Sequence, residues 1–294
     1  MKTVACLLAA AAVTSSAFAE QLEGKRSGAD ILANSAASDW RALDPENTLY
    51  IELERGRVVV ALSPVLAQGH VAQIKKLARE GFYDGLSFYR VIDGFVAQGG
   101  DVFEQRAVKT AAKTLPAEFD EPLPKNFAFL SLPDADGYAS QAGFAASLPV
   151  GVDAEAGRAW HLHCTGAIAM ARGDERDTAG TEFYVALQPQ RYLDRNLTVF
   201  GRVMQGMEHL QALRRVAPAE TPEDDLGETI VSMKIAADVP PAERANLEIL
   251  RSDVPAFADY VEARRNRPEG FFYYRPDHID LCQLPVPVRE AAGE

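Results

Sequence analysis

The sequence predicts a mainly β fold, a closed barrel or a sandwich, on three observations. Short apolar or alternating runs recur along residues 48–236, just two stretches between them carry helical spacing, and Gly, Pro and Asp punctuate the intervals. From Thr48, the residues Leu49, Ile51 and Leu53 alternate with Tyr50, Glu52 and Glu54, the pattern of a half-buried strand. Arg55-Gly56 reads as a turn, and Val58, Val60 and Leu62 continue as the hairpin partner. Ser63-Pro64 ends that strand. Val71, Ile74, Leu77 and Ala78 then recur at helical spacing, with Gly81 as the stop.

Residues 86–92 and 95–98 are two short strands separated by Asp93-Gly94. The stretch from about Asp101 to Arg158, rich in Pro, Asp, Ala and Gly, has no clear period and reads as surface excursions on a rigid scaffold. Strand signals return at residues 166–171, 182–187 and 198–204; Met207, Leu210 and Leu213 mark a second helix, and residues 229–236 a last strand. After Pro240 the character changes. Residues 241–250 and 256–265 read as helical, with Phe257, Tyr260 and Val261 as an apolar stripe. The aromatic run 271–274 is expected to find burial in a helix and tail packed on the β domain, the alternative being an exposed aromatic surface for a partner. Residues 284–288 are extended because each residue before a proline avoids the helical region.

Lys2, the apolar run 4–13 and the Ala17-Phe18-Ala19 site form a signal peptide, residues 1–19, cleaved after Ala19. The apolar run is too short to span a bilayer, and no later segment reads as transmembrane. Residues 20–47 are small and polar apart from Trp40 and read as an N-terminal arm. The expected destination is an oxidising space beyond the inner membrane, such as a bacterial periplasm. A formal charge of −12 argues against a nucleic-acid footprint and against a polybasic membrane contact. Cys6 leaves with the signal. Cys164 and Cys282 remain, and an even count in an oxidising compartment favours a disulfide between them.

The run Gly81-Phe-Tyr-Asp-Gly-Leu-Ser-Phe-Tyr-Arg-Val-Ile-Asp-Gly-Phe-Val-Ala-Gln-Gly-Gly-Asp101 resembles the signature of cyclophilin-type peptidyl-prolyl isomerases. Gly166-Ala-Ile-Ala-Met-Ala171 and Leu193-Asp-Arg-Asn-Leu-Thr-Val-Phe-Gly-Arg-Val203 agree with it in order and spacing. The resemblance covers a domain over residues 48–238, with an insertion at about 128–160, and leaves 239–294 as a C-terminal extension. It implies a closed eight-stranded antiparallel barrel capped by two helices, with a proline site in a groove on the outer wall because side chains fill the interior.

The resemblance implies Arg90 as the catalytic arginine, Phe95 as the floor of the proline pocket and Gln98 as the side chain holding the substrate backbone. It places Val96, Ala171, Arg172, Glu182, Tyr184, Tyr192, Leu193 and Leu197 around the substrate. Seven positions depart from the better-known members: Tyr89 replaces histidine, Val96 methionine, Arg172 asparagine and Glu182 glutamine, while Tyr184, Tyr192 and Leu197 replace aromatic or histidine residues. Glu182 either approaches Arg90 as an ion pair or turns outward and selects basic substrates.

The expected activity is isomerisation of X-Pro bonds in exported proteins, at a reduced rate, by a monomer that needs no cofactor. An alternative of a different class is a catalytically weak or inactive module that grips proline-containing polypeptide as a chaperone or scaffold. A third reading is a zinc site at His161, His163 and Cys164, with His278 and Cys282 beside it; we expect the cysteines to be oxidised and no metal to be held.

Overall fold

The computed structural model describes residues 24–222 and 224–291; the signal peptide expected at residues 1–19 lies outside them. In chain order the helices are α1 (Gly28–Ala33), α2 (Gln68–Arg79), α3 (Met207–Gln211) and α4 (Pro255–Arg265). The strands are β1 (Trp40–Ala42), β2 (Thr48–Leu53), β3 (Gly56–Leu62), β4 (Ser87–Val91), β5 (Val96–Gly100), β6 (Glu121–Pro122), β7 (Phe129–Ser131) and β8 (Gln141–Ala145). They continue with β9 (Leu148–Asp153), β10 (Arg158–His161), β11 (Ala167–Met170), β12 (Phe183–Ala186), β13 (Val199–Gln205), β14 (Glu228–Ile235), β15 (Leu247–Leu250) and β16 (Val288–Glu290).

Eight of these close a barrel in the order β11-β12-β5-β4-β14-β2-β3-β13, with antiparallel pairing throughout and β13 returning to β11. Closure removes the unpaired edges that an open sheet would present. Each barrel strand overlaps a run read from the sequence as a strand. Inward side chains, among them Leu49, Ile51, Val58, Val60, Phe88, Phe183, Val185, Phe200 and Met233, form one dry core beneath Ile74 and Leu77 of α2 and Leu210 of α3. The N-cap of α2 is Ala67, whose side chain offers no cap. Glu118 supplies it from the excursion: its carboxylate accepts the Gly69 and His70 amides at 2.7 and 2.9 Å and lies 2.6 Å from His70 Nδ1. An acidic group at a helix N-terminus satisfies orphan amides and complements the helix dipole.

The remaining strands correct several expectations. The excursion after Asp101 is not irregular throughout, because it holds a five-stranded sheet in the order β6-β10-β9-β8-β7. The segment expected as an N-terminal arm is built into the fold: β1 pairs with β15, and β15 with β16, in a three-stranded sheet. Residues 247–250, expected as helix, are therefore strand. The stripe Phe257, Tyr260 and Val261 is buried, but it packs against the insertion. Phe144 and Phe257 meet edge-on at 5.0 Å, inside a second core that includes Trp40, Trp160, Leu162 and Cys164. A disulfide joins Cys164 to Cys282 within this core and ties the extension to the chain entering β11. The aromatic run is not buried as expected: Phe271, Tyr273 and Tyr274 are 76, 99 and 80% exposed, as in the alternative reading. Among the described residues no helix is long and apolar enough to cross a membrane.

Candidate active site

The strand register itself assembles the candidate groove. Arg90 on β4 faces Gln98 on β5, Gln98 faces Tyr184 on β12, Tyr184 faces Ala169 on β11, and Ala169 faces Val199 on β13. Directly opposed residues on neighbouring strands share a face of the sheet. Their chain neighbours Val91, Ala97, Phe183, Val185 and Ile168 belong to the interior core, so this row lies on the outer wall. A register shift between Ser87 and Arg90 marks a bulge in β4. Phe88 and Val91 both enter the interior, and the two residues between them, Tyr89 and Arg90, both reach Gln98. Bulges re-aim side chains in this way.

Around the row lies a small apolar cluster of Val96, Ala167, Ala169, Tyr184, Ala186 and Val199, with Phe95, Ala171, Leu193 and Leu197 packed against it. Six of the expected site residues, Phe95, Val96, Ala171, Tyr184, Leu193 and Leu197, thus meet in one place. The half-buried guanidinium of Arg90 stands at its border, 5.2 Å from the centre of the Phe95 ring. Its Nη1 donates to Gln98 Oε1 at 3.1 Å, and Gln98 Nε2 donates to the Tyr89 hydroxyl. Gln98 therefore holds Arg90 with one end and Tyr89 with the other.

Glu182 takes neither of its expected orientations. No ion pair joins it to Arg90 among the described residues, and it does not turn outward: both carboxyl oxygens are buried and lack a hydrogen bond of ordinary geometry. The polar groups it faces are the Tyr89 hydroxyl and the Asp101 amide. Burial is the largest influence and pushes its carboxyl up to about 7, with Asp101 and Glu104 adding in the same direction. Space for it comes from Gly100, whose backbone φ of 139° is rare for other residues and where a Cβ would clash with the Glu182 carboxyl.

Two further expected residues stand apart from the cluster. The Arg172 side chain turns to the carbonyls of Asn196, Gly173 and Asp174, at 3.0, 2.7 and 3.1 Å, bracing its own loop. Tyr192 is 58% exposed on the rim. The histidines weighed for zinc do not converge. His163 faces Asp194 with Nδ1 at 3.0 Å and Tyr184 with Nε2 at 2.9 Å, and Cys164 is in the disulfide. Among the described residues no group of three or more metal-ligating side chains comes together. Ala169 and Val199 lie in the same row and were not singled out from sequence; the strand register is the signal that finds them.

The outer wall of the closed barrel thus carries an arginine held by Gln98 beside a small apolar cluster. The family described as cyclophilin type peptidyl-prolyl cis-trans isomerase/CLD matches residues 48–235. A probable peptidyl-prolyl cis-trans isomerase of Brucella suis is 31% identical over 219 residues, covering 70% of this chain and 91% of that protein. Peptidyl-prolyl cis-trans isomerase B of Bacillus subtilis is 34% identical over 162 residues, covering 55% and 86%. The crystal structure of cyclophilin AquaCyp293 from Hirschia baltica is similar with a TM-score of 0.71 at 28% identity, covering 90% of this chain and 97% of that one. That coverage extends beyond the barrel. The chain belongs to the cyclophilin-type peptidyl-prolyl cis-trans isomerases, and it is an isomerase of X-Pro peptide bonds.

Proposed function

We propose that Arg90 is the catalytic group, acting on a prolyl ring seated over Phe95 in the notch formed with Val96, Ala171, Tyr184, Leu193 and Leu197. Rotation about an X-Pro bond must break amide resonance, a barrier of about 18–20 kcal/mol, and is slow without help. No covalent intermediate is needed. As the bond twists, the prolyl nitrogen loses conjugation and gains a basic lone pair. A permanently charged fork aimed at that nitrogen stabilises the twisted state over both planar ones. Gln98 fixes the fork and offers its amide to the substrate backbone. The observation that carries this reading is the meeting of Arg90, Phe95 and Gln98 at the edge of the outer-wall cluster.

Residues 48–238 form the isomerase domain in this reading, with the insertion and the extension joined beside it. The substrates are proline-containing segments of exported proteins, and the role is assistance to their folding, by a monomer in a bacterial periplasm. The signal peptide at residues 1–19 and the disulfide between Cys164 and Cys282 support that location. The test is the refolding of an exported protein whose slow phase is limited by proline isomerisation. Catalytic amounts of this protein are expected to shorten that phase; an unchanged phase, with a short X-Pro peptide still accelerated, would remove the folding role and leave the isomerase.

A further inference from the structure

A buried polar chain runs from the insertion to the wall of the notch. Asp136, in the loop between β7 and β8, accepts two hydrogen bonds from Arg191, Nη1 to Oδ2 at 2.7 Å and Nη2 to Oδ1 at 2.8 Å. Its Oδ1 also accepts the Tyr138 and Ala139 amides, both at 2.9 Å, so the same carboxylate shapes its own loop. Arg191 is 7% exposed, and its Nε donates to Asp194 Oδ2 at 2.6 Å. Asp194 Oδ1 accepts the His163 amide at 2.9 Å and lies 3.0 Å from His163 Nδ1. His163 Nε2 lies 2.9 Å from the hydroxyl of Tyr184.

The chemistry gives this chain a direction. A carboxylate only accepts, so Nδ1 of His163 carries a proton toward Asp194. In the neutral imidazole Nε2 is then the acceptor, and the Tyr184 hydroxyl donates to it. Tyr184 is thereby held at both ends, its ring in the outer-wall cluster and its hydroxyl on His163. Arg191 also opens the short turn Arg191–Leu193, which carries Leu193 into the same cluster.

We propose that the insertion takes part in substrate binding at one remove: Asp136, acting through Arg191, Asp194 and His163, fixes the Tyr184 ring and with it the width of the proline notch. These four are positioning residues. The inference rests on the reading of this notch as the proline site. Buried charge networks lose most when one partner is withdrawn, because the partner left behind keeps its desolvation cost. Asp136→Asn removes the charge that balances Arg191 and sets an amide donor against one of its two guanidinium donors.

The test uses Asp136→Asn in the full chain, with Tyr184→Phe and the double variant. Three quantities are read: the ring resonance of Tyr184 by NMR, assigned by its loss in Tyr184→Phe; the Kd for an Ala-Pro peptide; and the KM and kcat of its isomerisation. Asp136→Asn is expected to shift the Tyr184 resonance and to raise Kd and KM about three- to tenfold with kcat within about twofold, because a wall contact is made in ground and transition states alike. Added to Tyr184→Phe, it is expected to change neither constant further. An unmoved Tyr184 resonance, or the same rise in Kd in both backgrounds, would overturn the proposal. Should Asp136→Asn loosen the insertion, Arg191→Lys keeps the charge without the two-pronged grip and carries the same expectation. Loss of peptide binding at this groove in the unaltered protein would instead sink the reading of the site, and the resonance would still decide the wiring.

Discussion

Arg90 and Gln98 face each other across β4 and β5, and Nη1 of the arginine donates to Oε1 of the glutamine at 3.1 Å. The pairing turns a flexible side chain into a fixed donor. An arginine free to sample many rotamers would have to be ordered in every turnover, and that ordering would be subtracted from catalysis. Gln98→Leu keeps the bulk and removes both amide contacts. We expect it to lower kcat/KM about tenfold, the loss of a hydrogen bond to a charged group, with the barrel intact by circular dichroism. An unchanged kcat/KM would show that Arg90 is held by something else.

Glu182 makes stability depend on pH. Its folded carboxyl keeps a proton up to about 7, above the ordinary value of 4.5 for the unfolded chain. Between those values the folded state carries more protons, so this group's contribution to stability is full below about 4.5 and is lost as pH rises through about 7. The groups facing it are Tyr89, Tyr83, Asp101 and Glu104, with Arg90 beyond Tyr89. Glu182→Gln, which stays neutral, should therefore be more stable than the wild type at pH 8, by about 1–3 kcal/mol, and close to it at pH 4.5. Urea unfolding at both pH values measures this. A difference of equal size at both would assign the effect to packing.

The disulfide closes a loop with a sequence separation of 118 and fastens the extension beneath the insertion. Cys282→Ser, which leaves the barrel untouched, is expected to cost about 2–5 kcal/mol. Limited proteolysis should then cut the extension around residues 266–280 before the barrel. Simultaneous digestion of both would show that the two cores unfold as one.

Glu118 caps α2 from a distant loop. Glu118→Ala should lower stability by about 1–2 kcal/mol, seen as an earlier urea midpoint. A midpoint unchanged from wild type would mean that water replaces the cap without loss.

The barrel was legible in the sequence because its strands keep one side inward, as Leu49, Ile51 and Leu53 do, and their turns are marked by Gly and Pro. The insertion sheet was not. In β9 five consecutive residues, Leu148 to Val152, are buried, so there is no alternation to read, and the segment's glycines and prolines resemble a loop. One of those glycines, Gly151, makes room for the Trp160 ring that packs over it. The strand β15 was hidden for another reason. Leu-Glu-Ile-Leu suits either period, and its partner β1 lies some two hundred residues earlier. At the candidate site, the family motif pointed to Arg90, Phe95 and Gln98, which the fold brings together, while the inward turn of Glu182 depends on Tyr89 and Gly100, which only the folded barrel sets beside it.

The central claim is that Arg90 acts on the twisted bond and contributes little to holding the planar one. The most direct measurement is the isomerisation rate of an X-Pro peptide, set beside its Kd, in wild type and Arg90→Ala. We expect kcat/KM to fall about a hundredfold or more while Kd rises by less than about threefold, the pattern of an interaction made in the transition state. Equal rates in the two proteins, or a loss of rate matched by an equal loss of binding, would contradict it.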